Sequence, residues 1–182
     1  MAKAIGMVEC TTVSTGFKAV DGMAKAADIE VLEAEVVCPG KFVILVSGEL
    51  SAVRAAVDYA AGAYSERIMD TFVLGNPHES IFPAIYGTTH LEKIEALGIL
   101  ETYDVAALIV AADLAAKTAI VELIELRLAK GMCGKSYMLL TGTVSAVEAA
   151  IERAKREAGD RGMLLDSSVI PRPSDKIIKY IL

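Results

Sequence analysis

Apolar and polar positions alternate with two different periods along the first half of the chain. Residues 4–11 and 29–37 alternate as half-buried strands do, and a continuous apolar run after them predicts a central strand. Between the strand-like segments, Phe17, Val20 and Ala24 recur at helical spacing and indicate the apolar face of a helix. The pattern predicts strand, helix, two strands, helix and strand at residues 4–11, 17–27, 29–37, 42–46, 52–67 (capped by Ser51) and 70–74.

The second half of the chain repeats the first. With a shift of 92, residues 4–27 match residues 96–119 at nine of 24 positions. With a shift of 94, residues 40–69 match residues 134–163 at twelve of 30 positions, so two residues are inserted between the matched blocks. Because the match runs through strands, turns and helices alike, it indicates a duplicated module rather than two helices of similar composition.

Each half is therefore predicted to form the same α+β sandwich, in which one helix follows the first strand and a second helix follows the next two strands. We assign the first domain to residues 1–87, a linker to residues 88–95 and the second domain to residues 96–182. A small helix is expected in the irregular segment after Asn76-Pro77. Modules of this size are small for independent stability, so we expect them to pack on one another and on neighbouring subunits.

The composition favours burial within an assembly. The chain of 182 residues is 54% hydrophobic, has no Trp and is only 5% aromatic, and its mean hydropathy is +0.47. Membrane insertion or burial between subunits would each explain this apolar content. The most apolar region, residues 105–121, contains Asp113 and Lys117, and no run reaches the ~18 uncharged residues of a spanning helix. Assembly is the better interpretation.

Charge and cysteine content narrow the class of protein further. The net charge of −6, with acids and bases interspersed, offers no basic patch for nucleic acid. Three cysteines argue against a disulfide framework, and residues 1–6 lead directly into a strand without a secretory apolar region, so we expect a cytosolic protein. No Ser/His/Asp arrangement, phosphate loop or dinucleotide motif is present, and His78 and His90 are expected at the surface, so we expect no enzyme.

Two turns that end in Gly-Lys carry the candidate chemistry. Residues 36–41 read Val-Val-Cys-Pro-Gly-Lys, and residues 130–135 read Lys-Gly-Met-Cys-Gly-Lys at the corresponding place in the second half. Proline fixes one backbone dihedral and glycine frees the next, so both stretches are expected to be tight, exposed turns. One turn cysteine cannot ligate an iron–sulfur cluster alone, and the spacing by itself favours a small residue in an exposed turn.

Four motifs together resemble the bacterial microcompartment (BMC) shell domain. They are the strand Ala4-Ile5-Gly6-Met7-Val8-Glu9, the helix end Asp21-Gly22-Met23-Ala24-Lys25-Ala26-Ala27, the Gly-Lys turn, and the closing Ile170-Pro171-Arg172-Pro173. The domain pattern occurs once in each half, and the two occurrences together cover nearly the whole chain. It extends to the PduT-type members of the family, which have two domains per chain and a Cys-Pro-Gly-Lys turn in the first.

The resemblance implies a homotrimer that mimics the family's usual hexamer, with six turns around a central pore. In PduT-type members, the first-domain turn cysteines of three subunits hold one [4Fe–4S] cluster on the threefold axis, and Cys38 matches that cysteine. Lys25, Lys117 and Arg172 match residues at the edges where neighbouring shell proteins meet. The first half departs from the closing motif, since residues 76–79 read Asn-Pro-His-Glu, so three of the six edges are expected to pack differently.

If a cluster lies on the threefold axis, Gly40 and Lys41 of the first turn are expected to support it. Three thiolates would leave the fourth iron to water, a small molecule or another protein. Gly40 would let the backbone approach the cluster, and Lys41 would offset the negative charge of the thiolates and lower their pKa.

The remaining candidates are weaker. Cys133 is displaced by one residue from the position that aligns with Cys38, so we expect a bystander thiol, although it could face the same pore. Cys10 is expected to be a buried thiol, and Glu9 and Glu101 are expected to be structural hydrogen-bond acceptors. The second turn as a whole is a candidate pore lining: Met132, Cys133, Gly134 and Lys135.

Three functions follow, from different classes. The first is a shell tile whose cluster passes electrons between the compartment lumen and the cytosol, or delivers clusters to an encapsulated redox enzyme. The second is a tile without a cluster, whose pore passes small metabolites. The third is a soluble redox enzyme or carrier unrelated to shells, which would need a second cofactor site that the sequence does not show.

Overall fold

The computed structural model describes residues 4–91 and 93–181. The chain divides into two compact units, one ending at Pro77 and the other beginning at His78. The first unit contains β1 (Ala4–Cys10), α1 (Val13–Ala26), β2 (Glu30–Val37), β3 (Lys41–Gly48), α2 (Leu50–Ala63), a 3₁₀ turn (Ser65–Arg67) and β4 (Ile68–Leu74). The second contains α3 (Ile81–Tyr86), β5 (Ala96–Thr102), α4 (Val105–Thr118), β6 (Val121–Leu128), β7 (Ser136–Gly142), α5 (Val144–Asp160), β8 (Leu164–Pro171) and α6 (Asp175–Ile178).

Each unit has a four-stranded antiparallel sheet. The strand orders are β2-β3-β1-β4 and β6-β7-β5-β8, so the same connection pattern occurs twice. In chain order each unit runs βαββαβ, which is the ferredoxin-like arrangement. In the first unit α1 and α2 pack together with β1 and β3 in one apolar cluster. The predicted tandem α/β sandwiches are confirmed.

The first core forms where small helix residues meet large strand residues. Gly16, Ala19 and Met23 of α1 are buried, and Phe42 of β3 is fully buried beneath them. A Cβ added at Gly16 would overlap the Phe42 ring. Close packing of this helix on the sheet therefore requires glycine at position 16.

The helix predicted at residues 17–27 is confirmed as α1, but Phe17, Val20 and Ala24 are not the residues that α1 buries. Phe17 is 60% exposed and Ala24 is also exposed, while Val20 is half-buried. The buried residues of the helix are instead Gly16, Ala19, Gly22 and Met23, of which Gly16 lies against Phe42 of β3 and Gly22 against Tyr59 of α2. The cause is that α1 has apolar residues on two sides, and helical spacing alone does not show which side faces the core.

The start of the second helix was also misplaced. Ser51 was predicted as the N-cap, but α2 begins at Leu50 and its N-cap is Glu49, which has extended backbone dihedrals. Ser51 lies inside the first turn, so its hydroxyl is not at the capping position.

The boundary between the units lies earlier than residue 87, where the sequence interpretation ended the first domain. Residues 78–87 belong to the second compact unit, in which α3 packs along β6. Ile81, Ala84 and Ile85 are the buried residues of α3. The sequence shows a short apolar helix here but not which strand receives it.

Membrane insertion was the rejected explanation of the high apolar content. None of the helices in the described part of the chain has both the length and the apolar content that a membrane span requires.

Candidate shell-pore turns and edge residues

The first Gly-Lys turn is a short hairpin that exposes Cys38 at its tip. Val37 pairs with Lys41 across the hairpin, and the Gly40 N–H donates to the Val37 carbonyl at 2.9 Å. Gly40 has a φ of 100°, and a Cβ there would meet no atom within 4 Å. Cys38 and Pro39, joined by a cis peptide bond, are both exposed. The Cys38 thiol is therefore accessible, as the sequence predicts for a tight, exposed turn.

Lys41 is held by an acidic residue of the neighbouring strand. Its Nζ donates to Glu9 Oε1 at 2.9 Å, and the Glu9 side chain is only 9% exposed. Glu9 thus acts as a structural acceptor, as predicted. The expected role of Lys41 beside a thiolate stays a prediction, since in the single chain its ammonium group is paired with Glu9.

The second turn is longer and has a different backbone. Leu128 pairs with Ser136, the counterparts of Val36 and Phe42, which also pair. Val36 and Phe42 differ in number by six, whereas Leu128 and Ser136 differ by eight, so the two inserted residues lie in the turn itself. Cys133 is exposed, with a φ of 56°, but it has no single counterpart in the first turn.

Internal hydrogen bonds define the shape of the longer turn. The Lys135 N–H donates to the Met132 carbonyl at 3.1 Å, and the Ala129 N–H donates to the buried Ser136 hydroxyl at 3.1 Å. Gly134 is buried with a φ of 89°, whereas Met132 is half-buried and Lys135 is exposed. The second turn is therefore not a copy of the first, despite its shared Gly-Lys end.

The three cysteines lie in different parts of the fold: Cys10 in β1, Cys38 in the first turn and Cys133 in the second turn. Cys10 is fully buried, and burial, with a smaller contribution from the Glu9 charge, raises its pKa to about 11. It is therefore an unreactive thiol in the core, as predicted. Among the described residues, no three His, Cys, Asp or Glu side chains lie together as a metal-binding group.

The expected edge residues lie at two similar helix ends and directly after the last strand, β8. Lys25 Nζ pairs with Asp21 at 2.6 Å, and Lys117 Nζ pairs with Asp113 at 2.7 Å. The hydrogen bond from Lys25 to Asp21 raises the pKa of Lys25. Arg172 is exposed with a φ of 51°, and its N–H donates to the Glu95 carbonyl at 3.0 Å.

The two lysine pairs differ in exposure. Asp21 and Lys25 have side chains that are 62% and 75% exposed, whereas the Asp113 side chain is only 5% exposed. Asp113 also accepts a hydrogen bond from the His78 backbone N–H at 2.7 Å. His78 is half-buried and shares a hydrogen bond between Nδ1 and the Ser80 hydroxyl, whereas His90 is exposed, as predicted.

Sequence reasoning missed a polar cluster on the strands that lead to the second turn. The Tyr137 hydroxyl donates to Glu125 Oε2 at 2.8 Å, and the Arg127 guanidinium lies 5.8 Å from the centre of the Tyr137 ring. Burial and the hydrogen bond to Glu125 raise the pKa of Tyr137. The signal in the sequence was Arg127 itself, because the corresponding position in the first half is Glu35, which has the opposite charge.

Comparison with known proteins identifies the module. The BMC domain family matches residues 4–77 and again residues 96–173. The chain belongs to the bacterial microcompartment shell protein family. The first match ends at Pro77, where the first compact unit also ends.

Relatives of known name cover the chain to different extents. It is 40% identical over 182 residues to the bacterial microcompartment shell protein PduT of Citrobacter freundii, covering 100% of this chain and 99% of that protein. It is 34% identical over 99 residues to the shell protein EutK of Salmonella typhimurium, covering 51% of this chain and 60% of that protein. The similarity to PduT thus includes both domains, and the chain is a structural shell protein like PduT.

Solved structures agree with this assignment. A crystal structure of a microcompartment protein from Desulfitobacterium hafniense superimposes with a TM-score of 0.94 at 42% identity, covering 98% of this chain and 99% of that one. A fused permuted hexameric shell protein of the RMM microcompartment superimposes with a TM-score of 0.63 at 18% identity, covering 87% and 82%. The second match shows the shared fold alone.

Proposed function

We propose that three copies of the chain form a shell tile whose central pore holds one [4Fe–4S] cluster, ligated by Cys38 of each copy. The observation that supports this is the exposed Cys38 thiol at the tip of the β2–β3 turn. The full-length similarity to PduT supports the proposal, because the resemblance to PduT-type members implies three copies around a threefold axis.

The residues of the first turn fit such a group. Thiolates are the usual ligands of iron–sulfur clusters, and three of them leave one iron for water, a small molecule or another protein. The space around Gly40 is open to 4 Å beyond a would-be Cβ, so the turn itself leaves room for a bulky inorganic group. The cluster, when bound, supplies one-electron transfer.

The proposed role depends on where the tile lies in the shell and does not involve catalytic turnover. In the shell of a cytoplasmic compartment, it passes electrons between lumen and cytosol or delivers clusters to encapsulated redox enzymes, and it has no catalytic activity of its own. Lys25, Lys117 and Arg172 are accessible on the single chain and provide contacts to other shell proteins at the tile edges.

A tile without a cluster, whose pore passes small metabolites, is the second candidate. The Glu9–Lys41 ion pair favours it, because that pair engages the ammonium group which the cluster hypothesis assigns to the thiolates. In this case Cys38 is a small residue lining the pore.

Electron paramagnetic resonance on anaerobically purified protein distinguishes the two. We expect the reduced wild type to give an iron–sulfur signal that is lost in Cys38→Ser and kept in Cys133→Ser. Cys133 is the matched control because it is also an exposed turn cysteine. A signal that survives Cys38→Ser, or a wild type without signal after reconstitution, would contradict the cluster and leave the metabolite pore.

A further inference from the structure

The second unit has an open cleft whose described lining includes none of the turn and edge residues discussed above. It lies between β6, the residues that follow α3 and the residues that follow α6, and we call it the β6 cleft. Its volume is about 500 Å³, which is within the range of ~300–1,000 Å³ that small-molecule sites have. The described residues that line it all belong to the second unit.

Part of the lining of the β6 cleft is apolar. Leu91, Ile124 and Ile181 line it, and all three pack in one apolar cluster, in which Ile124 is buried. An aliphatic chain that lies against these residues removes further apolar surface from water, which is favourable in proportion to the area covered. This part of the cleft therefore suits a short hydrocarbon chain.

The polar part of the lining contains Arg127, which its neighbours hold in place. Nε and Nη2 of Arg127 both donate to Glu125 Oε1, Nε at 2.9 Å. The Tyr137 hydroxyl donates to the other oxygen of Glu125 at 2.8 Å, and the Arg127 guanidinium lies 5.8 Å from the centre of the Tyr137 ring. Because the guanidinium is positioned before a ligand arrives, binding one costs less conformational entropy.

Arg127 also keeps donors for a ligand. The two hydrogen bonds to Glu125 use two of the five N–H donors of a guanidinium, and the Arg127 side chain is 45% exposed. A planar guanidinium matches the two oxygens of a carboxylate, which it can bind through two parallel hydrogen bonds. A carboxylate is therefore the ligand group that this side chain suits best.

The charges around the cleft favour an anion. Glu125 is the one acidic side chain among the described residues that line the cleft, and its carboxylate is already paired with Arg127. Tyr180 also lines the cleft, and the Lys179 ammonium lies 5.0 Å from the centre of its ring. Lys179 therefore adds a positive charge beside the cleft.

A hydroxyl group in the lining lacks a partner. The Thr89 hydroxyl oxygen is buried, and within the described part of the chain it is the one buried side-chain polar atom without a hydrogen-bond partner. Buried polar groups in native proteins nearly always have a partner. An unpartnered hydroxyl in the wall of a cleft therefore points to a polar group that binds there.

The first repeat does not have this arrangement. The counterparts of Arg127 and Tyr137 in the first half are Glu35 and Val43, so neither the guanidinium nor the phenol is repeated. The polar part of the β6 cleft is thus specific to the second repeat.

We propose that the β6 cleft binds a short-chain aliphatic carboxylate, with the carboxylate on Arg127 and the hydrocarbon chain along Leu91, Ile124 and Ile181. This site adds a small-molecule ligand to the role of the chain as a shell protein. It depends neither on the cluster at Cys38 nor on the number of chains in the tile.

Titration with hexanoate tests the site on the intact chain. In protein with ¹³C-labelled isoleucine methyl groups, we expect saturable shifts of the Ile124 and Ile181 signals and no shift of Ile44, which is fully buried in the first unit. 1-Hexanol and hexylammonium carry the same chain without the carboxylate, and each should bind roughly tenfold more weakly or less. Equal affinity for hexanoate and 1-hexanol, or no saturable shift with hexanoate, would overturn the proposal.

Two arginine variants complete the test. Arg127→Gln removes the guanidinium, so the Kd for hexanoate should rise roughly tenfold or more, while the weak shifts caused by 1-hexanol stay unchanged and show that the apolar part is intact. Arg153→Gln is the matched control, because Arg153 is a 35% exposed arginine of the same unit that pairs with Glu157 and is not among the residues that line the cleft. Its Kd for hexanoate should equal that of the wild type. An Arg127→Gln protein that binds hexanoate as tightly as the wild type would overturn the site, as would an equal loss of affinity in Arg153→Gln.

Discussion

Helices α1 and α4 occupy the same place in the two repeats, yet they are buried to very different extents. Of the 14 residues in each helix, four are buried in α1 and ten in α4. Both helices keep the Asp and Lys of the same helix end, Asp21 with Lys25 and Asp113 with Lys117. The difference therefore concerns what covers each helix, since the Asp and Lys at the helix end are the same in both repeats.

The two repeats also fill one core position in opposite ways. In the first, Gly16 of α1 leaves room for the fully buried Phe42 of β3. In the second, the counterparts are Leu108 and Ser136, both fully buried, so the large residue is on the helix and the small one on the strand. The small Ser136 is then free to accept the Ala129 N–H and support the longer turn.

A larger residue at Gly16, which packs against Phe42 in the first repeat, should have the largest effect on the free energy of unfolding. Gly16→Ala would force a methyl group into the Phe42 ring, and we expect a loss of about 1–3 kcal/mol in the free energy of unfolding, measured by urea titration. Gly62→Ala is the control, because a Cβ at Gly62 meets no atom within 4 Å; it should be neutral or stabilise α2 by about 0.5–1 kcal/mol.

The double variant Gly16→Ala/Phe42→Leu sharpens this comparison. Since Leu is smaller than Phe and removes the overlap, we expect the loss to be less than the sum of the two single losses. Additive losses would mean that the two positions do not compensate each other.

Helix capping is the next difference between the repeats, and its expected effect is smaller. The Asp104 side chain caps α4 by accepting the Ala107 N–H at 2.7 Å, whereas its counterpart Thr12 makes no side-chain cap bond to α1. We expect Asp104→Ala to lower the free energy of unfolding by about 1 kcal/mol and Thr12→Ala by less than about 0.5 kcal/mol. Equal losses in thermal or urea unfolding would contradict this assignment of the caps.

The sequence predicted the architecture well, for a physical reason. The same strand-like and helix-like hydrophobic periods occur in both repeats, so each repeat supports the interpretation of the other. All eight strands and all four long helices were predicted. The exposed turn at Cys38 followed from Pro39 and Gly40, whose backbone preferences act locally.

What the sequence did not predict depends on contacts made at a distance. The spacing of Phe17 and Ala24 marks an apolar face but not whether that face meets the core or another chain. The pairing of Lys41 with Glu9 joins residues 32 positions apart, and the strand that receives α3 is set by tertiary packing. The two-residue insertion was placed in the second turn only by the strand pairing of Leu128 with Ser136.

The ratio of iron and acid-labile sulfide to protein chain, measured on the assembled fraction after anaerobic purification, tests the central claim most directly. One [4Fe–4S] cluster held by three copies of Cys38 predicts about four irons and four sulfides for every three chains. Cys133→Ser should leave that ratio unchanged, and Cys38→Ser should reduce it to background. An assembled wild type without iron and sulfide, or a ratio that Cys38→Ser does not lower, would contradict the claim.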